Sequence, residues 1–232
     1  MRQTGLHYLA EIDRIVIDHA LITGLVERWR PETNTFHFPS GEATVTLEDV
    51  AYIYGLPVDG PPVAGQTFPG KFVASVCEEV LGIRPDKRDY HGITVKFKWL
   101  EDNFAAAELE RKKKHKKYKD YEIRATRAYL FFLVSDQIVS QTTGARGPAY
   151  ILELFKEFKP YAWAPACLAN LYRMLTNASR WGPEKLVAVE EGKDKQGELE
   201  GHLCRTPTGP LQLLQVFILI VTVSLNFLFN SN

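Results

Sequence analysis

The stretch from Leu25 to Gly60 constrains the fold of this chain more than any other, because it is dense in turn and capping residues. It reads LVERWRPETNTFHFPSGEATVTLEDVAYIYGLPVDG. Proline and glycine occur where the chain must change direction, so each element inside the stretch is short and has defined ends. The stretch contains no phosphate-binding glycine loop and no cluster of metal ligands. Its composition therefore favours a structural unit over a reaction site.

The stretch begins with the end of a helix and continues into a hairpin. Asp18 is the predicted N-cap of this helix, because apolar residues follow it at helical spacing. Pro31 ends the helix at or just before Arg30, since a residue preceding proline avoids the helical conformation. Short strands are predicted at Thr35–Phe38 and Ala43–Thr46, because the turn residues PSGE separate them.

A second helix is predicted at Leu47–Tyr54, and both of its ends carry signals. Thr46 and Asp49 have the spacing of a capping box at its start. Gly55 can adopt the left-handed conformation that ends a helix, and Pro57 prevents its continuation.

Helical patterns recur through the rest of the chain. The apolar spacing predicts helices at Lys71–Leu81, Arg124–Val139, Ala149–Phe158 and Ala164–Ser179. In the first of these, Phe72 is assigned to the inward face. The segment GITVKFKWL fits a strand or a helix start, and a turn followed by a helix is favoured. The fold prediction is a mainly α, multi-helix globular domain with a small β-hairpin near the N-terminus.

Charge and cysteine content limit the functional classes. The 28 Lys and Arg residues balance 28 Asp and Glu residues, so no global field attracts the chain to nucleic acid or acidic lipid. Acidic residues interrupt the N-terminal apolar residues, which argues against a signal peptide. The three cysteines lie far apart at Cys77, Cys167 and Cys204. This pattern is typical of reduced thiols in a reducing compartment.

The sequence contains no recognisable catalytic motif. It has no G-x-S-x-G elbow, no P-loop and no G-x-G-x-x-G fingerprint. His202 and Cys204 form an isolated pair, whereas a structural zinc site needs four ligands. We therefore predict no catalytic residue, no cofactor and no metal site.

The basic run RKKKHKK is the sharpest charge feature and a candidate nuclear-localisation signal. The alternative is a solvated face, because lysine-rich runs are common on surfaces. The run has no aromatic residue to stack on bases, so direct nucleic-acid binding is less favoured. The candidate signal residues are Arg111, Lys112, Lys113, Lys114, Lys116 and Lys117.

A second candidate surface lies at the end of the first predicted helix. Arg28, Arg30 and Glu32 would be exposed there, with Trp29 between the arginines pointing inward. Arginine is enriched at protein interfaces, which favours a recognition surface. It also suits helix C-termini, where the helix dipole attracts cations. Both interpretations remain open at this stage.

Four blocks of sequence resemble one known family. The longest is DHALITGLVERWRPETNTFHFPSGEATVTLEDVAYIYGLPVDGPPVAG, and it is followed in order by VCEEVLGIRP, TRAYLFFLV and YAWAPACLANLYRMLTNASRWG. Together they are similar to the plant mobile domain of the MAINTENANCE OF MERISTEMS and MAIN-like proteins, also labelled aminotransferase-like. The predicted domain covers residues 1–182, with the strongest resemblance over 18–182.

The resemblance implies a non-catalytic nuclear interaction domain. Family members are implicated in meristem maintenance, genome stability and the control of transposons or gene expression, and the family has no established catalytic residues. The partners it implies are nuclear proteins, such as a phosphatase-like or silencing factor. Some relatives carry a serine/threonine phosphatase, whose metal-binding signatures are absent from this chain. An uncharacterised enzyme, as the aminotransferase-like label suggests, is the alternative.

The chain departs from the family pattern after residue 182. Residues 183–208 are rich in charge and glycine and are predicted to be a disordered insertion. The apolar tail, residues 209–232, resumes the family pattern only as far as Gln215. Translated intron sequence beyond Gln215 would explain the change, and the domain would then lack its last core helix. The alternative is a membrane-spanning helix at Leu211–Phe229, which would tether a transposon-derived or truncated copy to a membrane.

Overall fold

The computed structural model of the protein describes residues 2–12, 16–64, 69–105, 118–139, 145–180 and 210–230. The basic run and the predicted insertion lie outside the described residues. The described α-helices are α1 His19–Arg28, α2 Leu47–Tyr54, α3 Val73–Leu81, α4 Phe97–Phe104, α5 Tyr118–Gln137, α6 Tyr150–Leu154, α7 Trp163–Ser179 and α8 Leu211–Asn230. The described strands are β1 Trp29–Arg30, β2 Thr35–Phe38, β3 Gly41–Ala43, β4 Tyr90–His91, β5 Thr94–Lys96 and β6 Arg146–Pro148. Short 3₁₀ turns occur at Arg2–Thr4, Leu9–Glu11 and Gly70–Phe72.

The mainly α fold with a small antiparallel sheet near its N-terminus is confirmed. The elements α1, β1, β2, β3 and α2, residues 19–54, form what we call the front unit. Its sheet has the order β1-β2-β3, so the predicted hairpin gains a third strand from the residues that follow α1. The second hairpin strand is Gly41–Ala43 rather than Ala43–Thr46, because Thr46 is used to cap α2.

Local side-chain chemistry fixes the helix ends of the front unit as predicted. The Asp18 carboxylate accepts a hydrogen bond from the Leu21 backbone N–H at 3.0 Å. At the start of α2, Thr46 Oγ1 accepts from the Asp49 N–H at 3.2 Å, and Asp49 Oδ2 accepts from the Thr46 N–H at 2.7 Å. Gly55 ends the helix with φ of 60°, in the left-handed region.

A second three-stranded sheet, β4-β5-β6, was not predicted. Its central strand is Thr94–Lys96, and α4 begins at the next residue, Phe97. The interpretation of GITVKFKWL as a turn before a helix therefore missed the strand. The sheet lies so close to α5 that a Cβ atom added at Gly147 in β6 would lie 2.5 Å from Ser135 Oγ. Glycine is needed there for this close approach.

Three predicted helices differ from the observed ones. Helix α3 begins at Val73, because Phe72 belongs to the preceding 3₁₀ turn; Phe72 is 46% exposed and does not face inward. Helix α5 begins at Tyr118, six residues before the predicted start at Arg124. Helix α6 ends at Leu154 rather than at Phe158.

Two tryptophans anchor the core at distant points of the chain. The Trp29 indole N–H donates to Thr176 Oγ1 at 3.1 Å, and its ring meets Phe36 edge-on with centroids 4.9 Å apart. The Trp163 indole N–H donates to the Thr4 carbonyl at 2.9 Å. Both side chains are almost fully buried, and each indole N–H has the partner that a buried donor requires.

Helix α8 belongs to the core, which corrects the expectation that the last core helix is missing. Leu213 and Leu214 are fully buried, and Phe217 and Ile218 are nearly so. The Leu213 N–H donates to the Tyr54 hydroxyl at 3.0 Å. Of the helices in the described ranges, none has both the length and the apolar character needed to cross a membrane.

Candidate functional site

The predicted surface residues Arg28, Arg30 and Glu32 are all exposed. The Arg28 guanidinium donates to the Gly24 carbonyl of its own helix at 3.2 Å, and that of Arg30 donates to the Trp29 carbonyl at 3.4 Å. Trp29 itself is buried, as predicted. The structure thus presents two arginines on the outside of the front unit, and their role in recognition stays a prediction.

The structure reveals a candidate site that the sequence did not indicate: an apolar groove between α4 and the middle of α5. Its volume is about 430 Å³. Both helices contribute apolar residues at helical spacing, and the small side chains of Ala125 and Ala128 leave room between them. We call it the open groove, and its lining residues are Phe97, Lys98, Leu100, Glu101, Phe104, Ala105, Ala125, Ala128, Tyr129 and Phe132.

Aromatic contacts hold the walls of the open groove. Phe97 meets Phe132 edge-on with ring centroids 5.0 Å apart, which fixes the start of α4 against α5. At the other end, Phe104 stacks on Tyr121 at 6.0 Å. The Tyr121 hydroxyl donates to the Asn103 carbonyl at 2.6 Å. Edge-on and offset aromatic pairs are favourable geometries, so the groove is built on a defined scaffold.

Cationic side chains surround one end of the open groove. A neighbouring cavity of about 400 Å³ shares Phe97, Lys98 and Phe132 with the groove. Its remaining lining residues are Lys96, Asp136, Ala145 and Arg146. One terminal amino nitrogen of Arg146 is buried and has no hydrogen-bond partner. A buried unpaired donor is costly, so this end is suited to an acceptor.

The carboxylates near this end have partners of their own. Lys98 Nζ lies 3.1 Å from Glu101 Oε2 and 3.1 Å from Asp102 Oδ1, and these contacts raise the pKa of Lys98. Asp136 Oδ2 accepts a hydrogen bond from Gln137 Nε2 at 2.9 Å. Lys96 and Arg146 make no ion pair with any residue that the structure describes.

The titratable groups in the core are held in their neutral forms. Burial raises the pKa of the Cys77 thiol to about 12, and it also raises the pKa of the Cys167 thiol. Both thiols are therefore protonated at neutral pH and are weak nucleophiles. Within the described ranges, no three His, Cys, Asp or Glu residues are grouped so that they could hold a metal ion.

The open groove escaped the sequence analysis because it depends on how two helices pack. Phe104 belongs to no predicted motif, and Tyr129, inside the predicted helix Arg124–Val139, is 41% exposed. The apolar spacing of Phe97, Leu100 and Phe104 in α4 is the one local signal that pointed to this face.

Comparison with known proteins identifies the family. The family model described as plant mobile domain matches residues 5–220, which is nearly the whole chain and extends past Gln215. The hypothesis of an exon edge at that residue stays a prediction. No solved structure matches the chain.

Three relatives from Arabidopsis thaliana illustrate the match. Protein MAIN-LIKE 2 is 45% identical over 77% of this chain and 26% of its own length. Protein MAINTENANCE OF MERISTEMS is 39% identical over 78% of this chain and 37% of its own length. A serine/threonine-protein phosphatase 7 long form homolog is 41% identical over 76% of this chain and 13% of its own length. The chain thus spans about a third or less of most of these relatives, and it belongs to the plant mobile domain family.

Proposed function

We propose that the chain is a non-catalytic protein-interaction domain that acts in the nucleus, in the regulation of genes or transposons. The main support is that one domain recurs in proteins with different names, including MAIN-like proteins and a phosphatase 7 long form homolog. A domain that occurs in such different contexts is typical of an interaction module. The open groove and the exposed Arg28 and Arg30 supply surfaces on which partners could bind.

Affinity capture from plant nuclei tests this proposal. The full chain should retain nuclear proteins, with a phosphatase-like or silencing factor among them. A variant with Arg28→Glu and Arg30→Glu tests the candidate arginine surface, and Arg84→Glu, which breaks an exposed ion pair with Glu78, is the matched control. Recovery of cytosolic metabolic enzymes alone would contradict the proposal.

Nuclear import through the basic run is the second part of the proposal. Replacing the lysines at 112, 113, 114, 116 and 117 with glutamine should move a large reporter fusion from the nucleus to the cytoplasm, because importins bind Lys and Arg side chains. A fusion in which five exposed lysines elsewhere are changed should stay nuclear. These control positions are Lys71, Lys87, Lys98, Lys119 and Lys159. Equal nuclear retention of both fusions would show that the run is only a solvated face.

The absence of catalysis can be tested against the aminotransferase-like label. Such an enzyme binds pyridoxal phosphate through a lysine Schiff base. We expect that incubation with pyridoxal phosphate and borohydride gives no site-specific lysine adduct. A stoichiometric adduct on one lysine, detected by mass spectrometry, would contradict the non-catalytic proposal.

A further inference from the structure

We infer that the open groove binds a short amphipathic helix of a partner protein, with an acidic residue of that helix placed beside Lys96 and Arg146. The inference rests on the proposed role as an interaction domain and specifies the surface and the partner chemistry. It is carried by the apolar floor of the groove, the length of the helix that forms one of its walls and the net positive charge at one end.

Helix α4, which forms one wall of the groove, is long enough to lie along two turns of a bound helix. Helix α4 has eight residues and is therefore about 12 Å long at 1.5 Å per residue. Apolar anchors at positions i, i+3 or i+4, and i+7 of a bound helix span about 10 Å by the same rise. The floor offered to these anchors consists of apolar and aromatic side chains, including Phe104, Ala125 and Tyr129.

The charge at one end of the groove favours an acidic residue at one end of the bound helix. Lys98 is paired with Glu101 and Asp102, whereas the Asp136 carboxylate lines the same cavity as Lys96 and Arg146 and offsets one of their two positive charges. Lys96 and Arg146 make no ion pair with a described residue, so a net positive charge is left at this end, and one terminal nitrogen of Arg146 has no hydrogen-bond partner. The N-terminus of α4 lies at this end and adds the positive end of the helix dipole. An aspartate or glutamate at one end of the bound helix is the complement of these groups.

Selection from a random library of 16-residue peptides, displayed as mRNA fusions, tests the inference without assuming a sequence. The full chain is the bait. We expect the enriched peptides to share apolar residues at i, i+3 or i+4, and i+7, with an acidic residue at a fixed offset from them. The most enriched peptide is then labelled with fluorescein, and its dissociation constant is measured by anisotropy.

Variants of the chain locate the binding site. Ala125→Trp fills the groove, and Tyr129→Glu places a charge on its exposed rim without changing the core. Each should weaken binding of the labelled peptide at least tenfold. Lys96→Glu should weaken it about tenfold and should be partly rescued by a peptide with lysine in place of its acidic residue. Lys87→Glu is the control, because Lys87 is exposed and, like Lys96, makes no ion pair with a described residue.

The outcomes separate this inference from the proposed function. Peptides that bind equally well to wild type, Ala125→Trp and Tyr129→Glu would overturn the groove assignment, although a binding role elsewhere on the chain would stand. Enriched peptides with no acidic preference, or with unchanged affinity for Lys96→Glu, would overturn the placement of an acidic residue beside Lys96 and Arg146. Failure to enrich any peptide would overturn the inference as well. Thermal unfolding of each variant within a few degrees of wild type confirms that it is folded.

Discussion

The front unit and the open groove are both rich in aromatic residues, but they use them in opposite ways. In the front unit, the buried Trp29 ring packs against Phe36 on one side and against Tyr172 of α7 on another, and little space remains around it. In the groove, Phe97 and Phe104 hold two helices apart and leave a cavity of about 430 Å³ between them. The stretch that is richest in turn and capping signals, Leu25–Gly60, is therefore the one whose aromatic residues leave little space. The comparison teaches that dense local signals indicate a scaffold, whereas space for a ligand is left where packing is incomplete.

The largest expected effect on stability comes from removing a buried side chain from the front unit. Trp29→Ala removes a fully buried ring and its hydrogen bond to Thr176, and it should lower the free energy of unfolding by about 3–5 kcal/mol. Urea denaturation followed by circular dichroism measures the change. Trp29→Phe keeps most of the ring area and should cost less. Equal losses for the two substitutions would show that the ring volume is not what stabilises the front unit.

The hydrogen bond between Tyr54 of the front unit and Leu213 of α8 should give the next largest effect on stability. Burial raises the pKa of the Tyr54 hydroxyl, so the group is neutral and can accept the Leu213 N–H. Tyr54→Phe leaves that buried N–H without an acceptor and should cost about 1–3 kcal/mol. Amide exchange of Leu213 should accelerate at the same time. Unchanged exchange at Leu213 would mean that this bond does not hold the helix in place.

Removal of a helix cap should have a smaller effect. Thr46→Ala removes both hydrogen bonds of the Thr46 hydroxyl to Asp49, leaves the bond from the residue's backbone N–H, and should cost about 1 kcal/mol. Thr46→Ser, which keeps the hydroxyl, is the control and should stay near wild type. A similar loss in both variants would assign the effect to the methyl group instead of the cap.

The smallest effect should follow from adding volume to the groove. Ala125→Leu extends into open space, so the free energy of unfolding should change by no more than about 0.5 kcal/mol. Its control is Ala164→Leu in α7, where the side chain is fully buried and overpacking should cost about 1–3 kcal/mol. If Ala125→Leu destabilises the protein as much as Ala164→Leu, the groove is not open in solution.

The parts of the fold that sequence reasoning found are those controlled by neighbouring residues. The Asp18 cap, the Thr46 capping box and the left-handed Gly55 each depend on a few adjacent positions, so their signals are local. Phe72 was assigned to the wrong face because a single 3₁₀ turn rotated it away from the helical phase. One turn of altered pitch is enough to move an apolar side chain from core to solvent.

The second sheet and the groove could not be predicted for a physical reason. Strand β5 has three residues, too few for an alternating pattern, and it pairs with β6 about fifty residues later in the chain. The groove depends on the distance between α4 and α5, which long-range packing sets. Arg28, Arg30 and Glu32 were correctly placed on the surface, because the buried Trp29 fixes the direction of its neighbours.

The contacts of α8 have a consequence for synthesis of the protein on the ribosome. The Leu213 N–H bonds to Tyr54, 159 residues earlier, and Gln215 Oε1 accepts from the Asp18 N–H, 197 residues earlier. At roughly 5–20 residues per second, translation takes about 8–32 s to advance from Tyr54 to Leu213. For that interval the nascent front unit lacks the helix that covers Tyr54. Chaperones that bind exposed apolar surface therefore have many seconds in which to bind the growing chain before its own C-terminal helix does.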